Sequence, residues 1–579
     1  MGTQWIIEGT IDPRWPINTR GNVGEVFPEV VTPLSYKLGV LSGEKAWREA
    51  YRTLGLLKSN DFSSSDPVII GLYGGYVYLN LSYLRMMGVR APGSSAEAID
   101  VSFFGEGNPP KYVPKKGDKS FFSSLKILKV VLNALNANEL PDIVAESFEI
   151  ASEYEKKRPS LDAPDKELID FLHTFPDAFF PAFRNHMLSS ALAAVVSGTL
   201  ADASAAAGEP GLVTHLVGAS GDVHSAQYSN DLYRIAKSVK EMPVVDAEFD
   251  LGVEGLLERL EGKPEAEKFF DLFQDFIDTH GHRGPNDWEI SSRNWENTPE
   301  LALMALDRMR IAEHDLSPSL RLEDNEQKRL VAAEKVRPHL GLLDRIQFDK
   351  ALKAAPFWAQ AREATRDRAV RVNLPAKQVY RELVRRAAER GGNPDPVRVA
   401  LLDPFEELPD YLESPENYVS VIEERGILFD RFSEITPPFF ISSQEEVLTL
   451  EASEKIKDSV DAIQPSKTGD VLVGNAGSSG IARGRARIVM DPADALNLEP
   501  GDVLIAPLTD PAWTPLFLPA AAVVVNVGAL MSHAIIVSRE LGIPCVVAVE
   551  GATEKIPEGA MVEVDGTAGT VTLLSISES

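Results

Sequence analysis

In the run Val523-Val524-Val525-Asn526-Val527-Gly528-Ala529-Leu530-Met531-Ser532-His533, an apolar strand feeds a glycine-containing turn and then a helix, with His533 in the helix's first turn. Ser532 stands where an N-cap side chain would accept from the first backbone amides. Those amides, with the positive end of the helix dipole, favour an anion. A neutral imidazole, with an unperturbed pKa of about 6.5, is a nucleophile that can take up a phosphoryl group and yield it again. Together these features describe a covalent phosphoryl carrier whose charge a helix end can stabilise without a neighbouring lysine. A histidine merely packed at a helix start is the competing reading.

Two other clusters hold reactive side chains. The run His280-Gly281-His282-Arg283-Gly284-Pro285-Asn286-Asp287-Trp288-Glu289 places two histidines, an arginine and two carboxylates within one turn. His282, Arg283, Asp287 and Glu289 are candidate acid-base groups or a phosphate clamp, against a turn locked by ion pairs. The i,i+2 spacing of His280 and His282 argues against a shared metal, and no metal site is expected in this chain. In Arg362-Glu363-Ala364-Thr365-Arg366, i,i+4 spacing puts Arg362 and Arg366 on one helical face, suited to a bidentate hold on a phosphoryl group. Arg371 lies off that face, and a solvated face is the alternative. The run Gly474-Asn475-Ala476-Gly477-Ser478-Ser479-Gly480 lacks the lysine of a phosphate-binding loop and reads as a hinge or domain-edge loop.

Several domains must position these residues, because 579 residues exceed a single core. Residues 1–100 read as short strands and loops, with apolar runs at Val68 to Leu72 and Tyr76 to Leu81. Residues 101–460 read as mainly helical, with 3.6-residue periodicity in Phe121 to Leu135, Glu265 to Thr279, Pro299 to His314 and Glu323 to Ala354. Together, 1–460 are the expected acceptor-substrate domain. A linker is expected over 453–470. Residues 468–579 alternate short apolar runs with glycines around one helix, Ser532 to Leu541, and read as a compact α/β unit. The fold class is therefore multidomain α+β.

Hydrophobic residues make up 44% and charged residues 25%, ordinary globular usage, and no stretch approaches the roughly 20 apolar residues of a membrane span. The start carries no basic and apolar leader, so cytoplasmic placement is expected. The single cysteine, Cys545, leaves no internal disulfide and suits a reducing compartment. A formal charge of −28 opposes generic nucleic-acid binding.

The segment Gly528-Ala529-Leu530-Met531-Ser532-His533-Ala534-Ile535-Ile536-Val537-Ser538-Arg539-Glu540-Leu541-Gly542-Ile543-Pro544 resembles the signature of the phosphoenolpyruvate-utilising enzymes. The resemblance continues through Pro500-Gly501-Asp502-Val503-Leu504, Thr509-Asp510-Pro511-Ala512-Trp513-Thr514-Pro515-Leu516 and Val564-Asp565-Gly566-Thr567-Ala568-Gly569-Thr570-Val571. It implies a swivelling domain with His533 as the phosphorylated residue and Ser532 beside the phosphate, while Arg539 and Glu540 organise the helix. Residues 18–35, the Gly-His-Arg-Gly turn and the Arg362 to Arg366 helix resemble rifampicin phosphotransferase-like proteins, in which basic residues face the catalytic histidine.

In such full-length relatives an ATP-grasp domain precedes this region. The resemblance implies that ATP and Mg2+ bind a separate ATP-grasp partner, as in the divided arrangement of phenylphosphate synthase. Neither that domain nor a pyruvate-binding barrel is expected here. The implied acceptor is a hydroxyl on a small organic molecule, and the many aromatic residues of 1–310 suit an apolar or aromatic alcohol. No nucleic-acid or membrane partner is expected. Three alternatives stay open: phosphorylation followed by elimination, giving net dehydration; a decayed carrier that only binds, since Asn526 and Ala529 depart from the family pattern; and a hydrolase using the His280 to Glu289 cluster without ATP.

Overall fold

The computed structural model describes residues 9–58, 61–62, 67–92, 94–104, 110–115, 117–137, 142–217, 224–311, 318–435, 437–443, 465–490, 498–509, 513–528 and 532–576. Most of the expected linker, residues 453–464, lies outside them. The chain forms two compact units, each drawn from three stretches: 1–195, 286–292 and 364–462 in the first, 196–285, 293–363 and 463–579 in the second. Two of the divisions fall inside the helices Phe175–Ala206 and Leu342–Arg371.

In the first unit, strands Ile70–Tyr73 and Tyr76–Asn80 form a hairpin whose turn residues, Gly74 and Gly75, have φ of 58° and 78°. A two-residue hairpin turn needs such left-handed positions, which only glycine adopts freely. Strands Asn18–Thr19 and Phe440–Ile441 complete a four-stranded antiparallel sheet. The buried carboxylate of Glu44, on helix Leu41–Leu54, accepts from the backbone amides of Val68 (3.0 Å), Ile69 (3.2 Å) and Ile70 (2.9 Å) and pairs with Arg48 one turn on. The stretch read as strands and loops thus also carries this helix, a π-helical turn Tyr36–Val40 and helix Leu81–Arg90.

Helix Phe175–Ala206 contributes an aromatic ladder at i,i+4 spacing. Ring centroids of Phe175 and Phe179 lie 5.2 Å apart, and those of Phe179 and Phe183 5.3 Å. Ser189 and Thr365 share a buried hydroxyl hydrogen bond of 2.7 Å that ties this helix to Leu342–Arg371 within the unit. By length and composition alone, the helical span 165–206 is long and apolar enough to cross a membrane, and 39% of its most apolar window is buried. The expectation that no stretch reaches that length rests on uninterrupted apolar runs; averaged along a helix, scattered Ser, Gly and Asp do not lower the mean enough.

The second unit is built on an eight-stranded sheet. Val503–Ala506, Ala522–Val525 and Cys545–Val547 are parallel neighbours at its centre, Ile481–Ile488 pairs parallel with the first of them, and the outer strands are antiparallel. The central strands are buried on both faces, as continuous β-branched runs should be. Their side chains alternate between two cores. Val503, Ile505, Ala522, Val524 and Val546 point to one side, with Val562 and Val571. Leu504, Ala506, Val523, Val525, Cys545 and Val547 point to the other, where they share a core with Trp513, Phe517 and Ile535 and with Tyr228, Leu232, Phe276 and Trp295 of the helical stretch.

Two expectations are corrected. Asn475–Ser478 is a strand pairing antiparallel with Cys545–Val547, not a hinge loop. A Cβ on Gly474 would lie 2.5 Å from the Val547 carbonyl oxygen and one on Gly477 2.8 Å from that of Cys545, so these glycines permit close strand pairing. The periodic stretch Glu323 to Ala354 is two helices, Pro318–Val336 and Leu342–Arg371, separated by a 3-10 turn Arg337–His339. Pro338 and Gly341 break it.

Candidate active site

His533 opens helix His533–Leu541, and Ser532, buried and extended (φ −70°, ψ 157°), caps it by accepting from the Ile535 amide at 3.4 Å. Gly542, at φ 65°, ends the helix after nine residues. Arg539 reaches across to donate to the Gly477 carbonyl (3.0 Å), so it secures the helix to the neighbouring strand. The Glu540 side chain and residues 529–531 lie outside the described residues.

The imidazole is partly buried and both of its nitrogens face hydroxyls. Thr509 Oγ1 lies 3.3 Å from Nδ1 and Thr514 Oγ1 3.1 Å from Nε2. Phe517 packs against the ring with centroids 5.9 Å apart. Thr514 in turn accepts a hydrogen bond of 2.6 Å from the hydroxyl of Tyr228, on helix His224–Lys240 of the same unit. Tyr228 is fixed by Trp295 (5.5 Å between centroids) and by the Arg283 guanidinium, 5.8 Å from its ring centre. The structure therefore links Arg283 of the sequence-derived list to His533, through Tyr228 and Thr514.

The remaining candidates separate. Buried His282 shares the Gly-His-Arg-Gly turn with Arg283 in the second unit, and His280 at the end of the preceding helix bonds Asp231 through Nε2 at 2.9 Å. Arg362 lies in the second unit with Glu363 3.7 Å away. Asp287, Glu289 and Arg366 belong to the first unit. The buried Glu289 carboxylate accepts from Thr32 Oγ1 (2.8 Å), Ser35 Oγ (2.6 Å) and Ser291 Oγ (2.8 Å) and from the amides of Thr32 and Ser291. So many donors make it an anchor for residues 286–292. Beside it, Lys377 is buried and donates to Ser292 Oγ at 2.6 Å; burial pulls its pKa down to about 8, against the opposing pull of Asp287 and Glu289.

Arg366 lines an apolar cavity of about 110 Å³ inside the first unit, together with Phe179, Phe183, His186, Trp288 and Asn373. Trp288 sits edge-on to Phe179 and Phe183 (5.8 and 5.6 Å) and stacks on His186 (6.4 Å). His186 Nδ1 lies 3.4 Å from Ser190 Oγ. Tyr228, Thr509, Thr514, His186 and Lys377 were not singled out in the sequence as site residues. Of these, Thr509 and Thr514 carried a local signal, within the motif Thr509 to Leu516.

Residues 498–569 match the PEP-utilising enzyme mobile domain, and residues 178–389 match the rifampicin phosphotransferase fourth domain. Rifampicin phosphotransferase of Streptomyces sviceus is 29% identical over 360 residues, 59% of this chain and 39% of the relative. Prodigiosin synthesizing transferase PigC of Serratia marcescens is 25% identical over 98% of this chain and 64% of its own length. Rifampicin phosphotransferase of Bacillus cereus is 35% identical over 170 residues, 29% of this chain and 18% of the relative. The chain thus spans between about one fifth and two thirds of the length of these relatives. The chain joins a segment similar to the rifampicin phosphotransferase fourth domain to one similar to the mobile domain of the PEP-utilising enzymes.

Proposed function

We propose that the chain is a phosphotransferase component: His533 receives a phosphoryl group and passes it to a hydroxyl of a small apolar or aromatic organic molecule. The observation that carries this reading is the setting of His533, on a capped helix N-terminus with the neutral hydroxyls of Thr509 and Thr514 at its nitrogens. An unprotonated imidazole nitrogen is a nucleophile, and the helix end offsets the negative charge that arrives. In the first step a ring nitrogen bonds phosphorus as the donor's P–O bond breaks. In the second, the acceptor oxygen bonds phosphorus, the P–N bond breaks, and the hydroxyl proton leaves to a base.

The acceptor site in this reading is the cavity of the first unit. Its Phe and Trp walls suit an aromatic or apolar body, and Arg366, His186 and Asn373 supply the few polar groups that orient such a ligand. Relatives named for rifampicin and prodigiosin support an organic acceptor. The donor is ATP with Mg2+, held by a separate ATP-grasp protein.

The test is to incubate the purified chain with ATP labelled at the β-phosphate, with and without extract of its source organism. An acid-labile, alkali-stable label is expected on wild type with extract and not on His533→Ala. Absence of label under every condition, with a known family member labelled in parallel by its own donor, would leave only a binding protein.

A further inference from the structure

The hydroxyl chain that ends at His533 has a direction. A phenol is a better donor than an aliphatic alcohol, and Tyr228 lies 2.6 Å from Thr514 Oγ1. Thr514 has one proton of its own. With a lone pair committed to Tyr228, that proton turns to Nε2 of His533, 3.1 Å away. The neutral ring then carries its own proton on Nδ1 and donates it to Thr509 Oγ1 at 3.3 Å. Such a chain is cooperative, each bond polarising the next. Tyr228, Thr509 and Thr514 are at most 2% exposed, so water has little access to their hydroxyls.

We infer that Tyr228 is a positioning residue that acts through Thr514: it fixes the Nδ1–H tautomer of His533 and latches the unphosphorylated ring against helix His224–Lys240. The inference rests on the phosphocarrier role proposed above and adds how the carrier's resting state is held. While Thr514 donates to Nε2, that lone pair is occupied, so the ring leaves Thr514 before it attacks a donor. Once a P–N bond uses the lone pair, Thr514 has no acceptor on the ring. The latch in this form therefore belongs to the empty carrier, and phosphorylation at Nε2 breaks it.

The test needs no donor protein. Diethyl pyrocarbonate acylates an unprotonated histidine nitrogen, and peptide mass spectrometry of the full chain gives the rate at each histidine. Tyr228→Phe removes only the phenolic donor; Thr514→Val removes the hydroxyl that touches the ring. Wild-type His533 is expected to react more slowly than exposed His339, and both variants to react about five- to tenfold faster at His533, the effect of losing one hydrogen bond. Buried His280 serves as the reference for general loosening, which would accelerate it as well, and exposed His339 gives the unprotected rate. In 15N spectra of histidine-labelled protein, the His533 signals should shift from one tautomer towards a mixture in Tyr228→Phe. Equal His533 rates in all three proteins would overturn the latch, as would wild-type His533 reacting as fast as His339. A protected His533 that never takes up label from ATP would sink the phosphocarrier role and leave the latch standing; the reverse pattern would do the opposite.

Discussion

Lys377 shows how one buried side chain sets a pH dependence. Burial lowers its pKa from 10.5 to about 8. Between those values the unfolded chain keeps a proton that the folded chain has released, so the lysine's contribution to stability rises with pH across the window. Below about 8 both states hold the proton and the full cost of the buried charge remains. The difference in unfolding free energy between wild type and Lys377→Met should move in favour of wild type by on the order of 2 kcal/mol between pH 7 and pH 10. Denaturant titrations giving a constant difference would refute this. At this scale the sequence was most informative where the physics is local. Ser532 and His533 were legible because a cap bonds within three residues of itself. Tyr228 was not, because Thr514 lies 286 positions away and nothing in either neighbourhood encodes the meeting. Glu289 looked like an acid-base candidate for the same reason: its partners, Thr32 and Ser35, are over 250 residues distant.

Among the elements, several strands of the C-terminal domain, though not Val471–Val473 or most of Ile481–Ile488, could be read from short β-branched runs bounded by glycine, which have few other uses. Val503–Ala506 and Ala522–Val525 are such cases. The edge strand Asn475–Ser478 escaped notice because its Gly, Ala and Ser composition carries turn signals, and only the close approach to Cys545–Val547 explains it. In the first unit, the packing of Leu41–Leu54 on Phe175–Ala206 depends on a missing side chain. A Cβ on Gly43 would lie 3.4 Å from the Phe183 ring and 3.6 Å from that of Phe179, and Gly43 lines the aromatic cavity. A small aromatic alcohol such as benzyl alcohol should raise the melting temperature of wild type by binding there. Gly43→Val fills that space, so its melting temperature should not respond to benzyl alcohol, while labelling of His533 persists. An equal thermal shift in both proteins would place the ligand elsewhere.

On the scale of the whole molecule, the α+β class and the C-terminal α/β domain were legible, whereas the way the helical middle is shared out was not. Its two compact units interleave along the chain, and a division inside a continuous helix leaves no mark in composition or periodicity. Each unit has apolar cores of its own. Calorimetry should accordingly resolve two unfolding transitions. Tyr228→Phe should lower the one belonging to the second unit and leave the other in place; a single transition displaced as a whole would show that the units unfold together.

The sheet of the second unit also contains a natural stopwatch. Cys545 is the only thiol in 579 residues, and it is fully buried on the sheet face whose core includes Tyr228 and Trp295. An alkylating reagent can reach that sulfur only during the moments when this face parts from the helices covering it. Its rate of capture under native conditions therefore follows the fraction of time that face stands open, with no engineered probe and no signal from the first unit.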